Sequence, residues 1–325
     1  MKCSSHSESV KPVRDKKWAI NNRRNFFKQF NRKKTVKNIA NGEKWNGIFW
    51  VRERFLGKGG FGTVFLVKRK QPIKGGGPEL TDLPFEMAVK TAITSEASTL
   101  KYEKQMFSCF KECPYVIKCY GDMETERGES EKIYNLFLEY CSGGSLYDHI
   151  KKGYFKGLLE EEVRCFTRDI VRGLHYLHSN LIVHCDIKPD NILLAPGSDG
   201  RLIAKIADFG LAKNLDYEDW EEISHKGTYR YMSPEMVKDK TLACPADIWA
   251  LGCVLIEMLS GKPGWECVTK EELFAIIGYT SELPLFPKNI SGNAKDFLSK
   301  CLIRDFQHRW TAEELLRHHF LSVDA

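Results

Sequence analysis

Between Glu160 and His178 the apolar residues Val163, Phe166, Ile170, Leu174 and Leu177 recur at steps of three and four. That spacing stacks them on one face of a helix and turns the polar residues to water. Asp247 to Leu259 is almost uniformly apolar, which predicts a helix buried on all sides. Ser95 to Phe110 is charged and free of breakers and predicts a further helix. Thr311 to His318 predicts a last one, with Thr311 as N-cap and Glu314 at the capping-box position. Before about residue 143 the pattern differs. Thr63 to Val67, Phe85 to Ile93 and Ile133 to Tyr140 are short runs of strand formers, the last broken by CSGGS. QPIKGGGPELTDLP, residues 71 to 84, reads as a loop. The pattern predicts an α+β chain: a strand-rich segment with one helix, followed by a helical segment.

A chain of 325 residues, 42% hydrophobic, suits two lobes or two domains. Its longest apolar run, about Trp249 to Leu259, is shorter than the roughly 20 residues a membrane-spanning helix needs. The opening MKCSSHSESV has no apolar core, so no secretory signal is expected. Eleven cysteines without paired CxxC spacing read as reduced thiols in an intracellular compartment, cytoplasmic, nuclear or both. Cys109, Cys113 and Cys119 lack histidines at metal spacing, so zinc is not expected there. The net charge of +6 is uneven: residues 1 to 45 hold 13 Lys and Arg against 3 acids, the remainder 36 against 40. The basic excess therefore belongs to an arm in which Phe26, Phe27 and Phe30 sit among cations. It reads as solvated and flexible; a nuclear-import signal, a docking arm for an acidic partner and an amphipathic surface helix are the alternatives. Nucleic-acid binding would rest on that arm alone and is not expected.

The chemistry sits on short motifs. Gly57, Gly59 and Gly62 lie in GKGGFGTV and let backbone approach a polyphosphate closely. The following TVFLV favours a strand, so the glycines cap a hairpin rather than open a dinucleotide-binding helix. Lys90 stands in the apolar strand MAVK, where an ammonium is costly unless paired. Phosphates and a helix carboxylate are its natural partners; Glu103 is the expected carboxylate, with Glu96 as the alternative. LIVHCDIKPDNILL, residues 181 to 194, holds Asp186, able to accept the proton of a hydroxyl, and Lys188, able to neutralise a transferring phosphoryl group. Asn191 offers an oxygen to Mg²⁺. His184 is expected to pack inside and fix the loop rather than serve as a base. Asp208-Phe209-Gly210 follows the strand-like LIAKIA; Asp208 would hold Mg²⁺ against nucleotide phosphates while Phe209 packs inward.

The ordered set GxGxFGxV, AVK, HxDxKxxN, DFG and Ser233-Pro234-Glu235 resembles the eukaryotic protein kinase catalytic domain over about residues 50 to 321. Asp247 to Gly252 and Arg309 fall where that family has its DxWxxG helix and the Arg that pairs with the triplet's Glu, here Glu235. Lys188 and Gly227-Thr228 follow the serine/threonine pattern. GTYRYMSPEMV, ADIWALGCVLIEMLSGKPGW and RWTAEELL are most similar to MAP kinase kinase kinases of a plant stress-signalling group.

The resemblance implies ATP and Mg²⁺ as nucleotide and cofactor and a protein substrate, a MAP kinase kinase, modified on Ser or Thr. It implies an arm at 1–49, a domain at 50–321 with a small lobe at 50–140 and a large lobe at 144–321, and a tail at 322–325. Leu56, Gly57, Lys58, Gly59, Gly60, Phe61, Gly62, Thr63 and Val64 would cover the nucleotide. Val64 and Ala88 would sandwich adenine, with Lys90 on the phosphates. Glu139 and Cys141 would present backbone contacts after Leu138, which closes the back of the pocket. Thr228 would help orient Asp186 and Lys188. Tyr217, Ser224 and Thr228 lie where phosphorylation would fall, with no motif to choose among them.

Most family members have Arg where this chain has Cys185. A thiol offers no cation to a phosphorylated residue, so activity should depend weakly or differently on phosphorylation between Asp208 and Glu235. A degenerate, partner-binding copy is the rival reading; the presence of Lys90, Asp186, Asn191 and Asp208 argues for a working enzyme.

Overall fold

The computed structural model describes residues 50–60, 62–69, 83–127, 131–153, 156–216, 228–266 and 269–322. The basic arm, Phe61, most of the loop 71–84, Tyr217, Ser224, Gly227 and the last three residues lie outside them.

Strands β1 (Trp50–Gly59), β2 (Gly62–Arg69), β3 (Glu86–Ile93), β4 (Cys119–Arg127) and β5 (Glu131–Leu138) make one antiparallel sheet in the order β1-β2-β3-β5-β4. The register aligns Val64 with Lys90 and Leu136, and Leu66 with Ala88 and Leu138. With side chains alternating between faces, one face carries Val64, Ala88, Lys90, Leu136 and Leu138. Helix α1 (Ser98–Ser108) packs there through Leu100. The other face buries Val67, Met87 and Val89 against Trp50 and Phe137. Strand β3 is thus covered on both sides, which is why its run is nearly continuous in apolar residues.

The helical part holds α2 (Leu146–Lys152), α3 (Glu160–Ser179), α4 (Pro234–Lys238), α5 (Pro245–Ser260), α6 (Lys270–Tyr279), α7 (Gly292–Cys301) and α8 (Ala312–Leu316). All five periodic residues of α3 are buried, and α5 is buried at every position from Ala246 to Met258. Thr311 and Glu314 form the expected capping box at the start of α8. Two short antiparallel ladders, β6 (Ile182–Val183) with β9 (Lys213–Asn214) and β7 (Ile192–Pro196) with β8 (Leu202–Ile206), lie between α3 and α4 in the chain.

One helix differs from expectation. The charged run from Ser95 splits into a 3₁₀ turn at Thr94–Glu96 and a helix that begins at Ser98. Ala97, fully buried, bends the chain between them (φ −86°, ψ 14°), and no side chain caps the helix there. Among the described residues no helix is long and apolar enough to cross a membrane.

Candidate active site

The register of β3 decides where its lysine goes. Lys90 shares a face with Val64 and Leu136 and is 6% exposed. Its Nζ donates to Glu103 Oε2 at 2.8 Å and to Asp208 Oδ1 at 2.9 Å. Glu103, from the middle of α1, is fully buried, and its other oxygen accepts the Phe209 N–H at 3.2 Å. Glu96 sits exposed in the 3₁₀ turn, so Glu103 is the carboxylate of this pair. Burial alone would lower the Lys90 pKa; Glu103 and Asp208 outweigh it and hold the ammonium above its ordinary range. Burial likewise pushes Glu103 up, against the pull of Lys90. Asp208 is held below the ordinary range: burial opposes ionisation, but Lys90 prevails.

The loop after β6 carries the second group. Asp186 Oδ2 accepts from Lys188 Nζ at 2.6 Å and from Asn191 Nδ2 at 2.9 Å. Its Oδ1 accepts the Thr228 N–H at 3.1 Å and the Thr228 hydroxyl at 3.2 Å. Lys188 Nζ also donates to Thr228 Oγ1 at 2.8 Å. His184 is fully buried; Nδ1 accepts the Asp186 N–H at 3.3 Å, so Nε2 carries the proton donated to the Ala207 carbonyl at 2.9 Å. Both ring nitrogens are occupied by backbone, so His184 fixes the loop and has none free for base work. Phe209 is fully buried with its ring 5.1 Å from that of His184 and 5.0 Å from that of Phe107 on α1. Those stacked rings tie the Asp208 segment to the loop on one side and to the Glu103 helix on the other.

Asp247, 1% exposed near the start of α5, anchors the loop from below. It accepts from the His184 N–H at 2.8 Å, the Cys185 N–H at 3.0 Å and His178 Nε2 at 3.0 Å. Cys185 and Asp208 both adopt positive φ, 67° and 65°, strained for residues other than glycine. The Cys185 thiol donates to the Val183 carbonyl at 3.4 Å, and burial, then the charge of Asp247, pushes it well above the usual thiol range. Both effects disfavour the thiolate there.

An apolar slot completes the arrangement. Val64, Ala88 and Leu138 from the sheet, Cys141 from the connection after β5, and Leu193 and Ala207 from the helical part pack into one cluster. Burial and then Glu139 push the Cys141 thiol up to about 12, leaving it neutral. Gly143 must be glycine: a Cβ there would stand 2.6 Å from the Leu194 carbonyl oxygen. The same holds for Gly62, at φ 153° with a Cβ position 2.6 Å from the Thr91 oxygen. A concavity of about 890 Å³ lies on the opposite face of the sheet, lined by Phe65, Thr91, Ile93 and Glu96 and reaching the glycine turn at Gly59, Gly60 and Gly62.

The structure thus brings together Lys90, Glu103, Asp208, Asp186, Lys188, Asn191 and Thr228, with Val64, Ala88, Leu138 and Cys141 in the adjoining slot. Leu56, Gly57, Lys58, Gly59, Gly60, Gly62 and Thr63 lie on β1, β2 and the turn between them; Phe61 lies outside the described residues. Sequence reading missed Leu193 and Ala207 as slot residues and Asp247 as an anchor. An acid inside an otherwise apolar helix was the available signal for Asp247; nothing local distinguished the other two.

A β-sheet with one helix, set against a helical body and sharing with it a lysine–carboxylate cluster, is the architecture of a phosphotransferase, and the protein kinase domain matches residues 50–321; the chain belongs to that family. Its relatives narrow the class. It is 41% identical to mitogen-activated protein kinase kinase kinase 20 of Arabidopsis thaliana over 85% of this chain and 79% of the relative. With kinase kinase kinase 17 of the same plant it shares 36% over 84% and 70%. With mouse mitogen-activated protein kinase kinase kinase 3 it shares 36% over 85% of this chain but 42% of that longer protein. The chain is a serine/threonine protein kinase akin to the MAP kinase kinase kinases.

Proposed function

We propose that the chain transfers the γ-phosphoryl group of Mg²⁺-bound ATP to Ser or Thr of a MAP kinase kinase, in a stress-signalling cascade. The observation that carries this reading is the cluster in which Lys90, Glu103 and Asp208 meet within 3 Å contacts. Lys90 would bind phosphate oxygens while Glu103 keeps it aimed. The Asn191 amide nitrogen is tied twice to Asp186, which leaves its oxygen to face a ligand. Asp208 uses Oδ1 for Lys90 and the Gly210 N–H, which leaves Oδ2. Two hard oxygens suit Mg²⁺, and nothing softer is offered. Bound there, Mg²⁺ would neutralise charge on the phosphates.

The remaining roles follow from position. Asp186, oriented by Thr228 and Asn191, would hold the acceptor hydroxyl and take its proton. Lys188 would offset charge on the group in transfer. The glycine turn of β1 and β2 would cover the nucleotide, and Val64 and Ala88 would sandwich the base opposite Leu193. The Glu139 carbonyl and the Cys141 amide would bond it; among the described residues no hydrogen bond occupies that amide. This assigns a nucleotide lobe at 50–140 and a substrate lobe at 144–321, flanked by an arm at 1–49 and a tail at 322–325, acting in the cytoplasm, the nucleus or both. The target is read from the names of the relatives, kinases of MAP kinase kinases. Incubating the purified chain and labelled ATP with a panel of MAP kinase kinases, then mapping the sites, tests this. Label on Ser or Thr of such a protein is expected; label confined to unrelated proteins or to Tyr would refute it.

A further inference from the structure

Glu139 follows β5 directly, and its backbone is the part read above as meeting the base. Its side chain is engaged elsewhere. Oε1 accepts from Lys205 Nζ at 2.7 Å, and Oε2 accepts the Lys118 N–H at 3.0 Å. The Glu139 N–H in turn donates to the Lys118 carbonyl at 2.9 Å. Lys118 precedes β4; Lys205 lies on β8. These two stretches are themselves laced together, Ile117 N–H to the Ile206 carbonyl at 3.0 Å and Ile206 N–H to the Tyr115 carbonyl at 2.9 Å. Three segments distant in the chain therefore close a triangle on the Glu139 carboxylate.

The triangle is shielded from water. The Lys205 and Glu139 side chains are 10% and 17% exposed, and Ala204 and Ile206 beside the lysine are fully buried. An ammonium at that place on an apolar strand is costly unless it has a partner, and the partner is the connection after β5. The pairing strands β7 and β8 need no lysine there, because the ladder is made by backbone.

We propose that Lys205 is a positioning residue for the nucleotide. By fixing the Glu139 side chain it holds the backbone from Leu138 to Cys141 in the geometry that receives the base. The proposal rests on the reading that this backbone contacts ATP. Lys205 touches no reacting group, so its signature is nucleotide affinity and not the rate of transfer.

Steady-state kinetics on the full chain, with ATP varied at saturating protein substrate, test this. Lys205→Met should raise KM for ATP about tenfold, the effect of one lost constraint on a binding surface, with kcat within about twofold of wild type. Lys205→Arg should restore KM to within about twofold, since a guanidinium can still reach the carboxylate. Glu139→Gln/Lys205→Met removes both charges and strands no buried ion, so it keeps the test alive if the single variant melts early. That double variant should fold, by thermal melting, and still show the raised KM for ATP with an unchanged KM for protein substrate. A folded double variant with wild-type KM for ATP overturns the proposal, as does a lower kcat at unchanged KM. A rise in kcat overturns it too, because the triangle would then restrain the enzyme instead of shaping its site. A wild-type chain that transfers nothing from ATP overturns the underlying reading as well, so the two failures are told apart.

Discussion

Asp247→Asn alters one oxygen yet should disable the loop that carries Asp186. The carboxylate accepts three N–H groups: Cys185 at Oδ1, His184 and His178 at Oδ2. An amide presents one oxygen and one NH₂. Turning its oxygen to the Oδ2 side keeps two of the three partners, so the NH₂ must face the Cys185 N–H, donor against donor. One charge-assisted bond, worth about 1.5–3 kcal/mol, is lost and two are weakened, for a total of about 3 kcal/mol. At roughly 2–4 °C per kcal/mol the melting temperature should fall by about 6–12 °C. Cys185 at φ 67° is held in that conformation in part by the lost bond. Released, it shifts Asp186, the next residue, and a displacement of about 1 Å in an acceptor-orienting group costs about a hundredfold in kcat. Lys90, Glu103 and Asp208 are untouched, so KM for ATP should hold. The assay pairs thermal melting with kinetics at temperatures where the variant is folded. A variant that melts early but turns over at the wild-type rate would refute the reasoning and leave Asp247 a purely structural residue.

Other outcomes follow from the same geometry. Arg309→Met leaves Glu235, 3% exposed, as a buried charge stripped of its two guanidinium contacts at 2.7 and 2.9 Å. It should lose about 3–5 kcal/mol in urea denaturation, and Glu235→Met/Arg309→Met distinctly less. Burial works against the Lys90 charge, but Glu103 and Asp208 hold its pKa above the ordinary lysine value. That raised value contributes stability fully present below the unfolded pKa and lost as pH rises through the folded one. The stability difference between wild type and Lys90→Met, from denaturant titrations, should therefore stay flat from neutral pH to about 10 and shrink beyond; growth at high pH would contradict it. Cys185 is a half-buried thiol within the catalytic loop and offers no cation to a phosphorylated residue. Phosphatase-treated enzyme should therefore keep most of its activity; its loss, with recovery on rephosphorylating the segment from Asp208 to Glu235, would count against this.

What the sequence revealed and what it hid have physical causes. The buried faces of α3 and α5 were legible because burial of one face imposes a helical period on α3, while burial of all faces makes α5 almost uniformly apolar. Lys90, Asp186, Asn191 and Asp208 were legible because phosphoryl transfer demands those side-chain types at set intervals. Glu103 was expected and Glu96 stayed as the alternative, since both suit a helix and only the bend at buried Ala97 takes Glu96 out of it. Strands β6 and β9 have two residues each, too few to carry any period. The Glu139–Lys205 pair joins residues 66 apart, and neither carries a local sign of the other. Glu139 was read for its backbone alone.

The central claim is that Asp186 directs an acceptor hydroxyl toward a nucleotide held chiefly by other residues. Transfer of label from γ-labelled ATP to a protein substrate, by wild type and by Asp186→Asn with ATP binding measured in parallel, tests it most directly. The variant should bind ATP as wild type does yet transfer at least about a hundredfold more slowly. Transfer at the wild-type rate, with ATP bound, would contradict it.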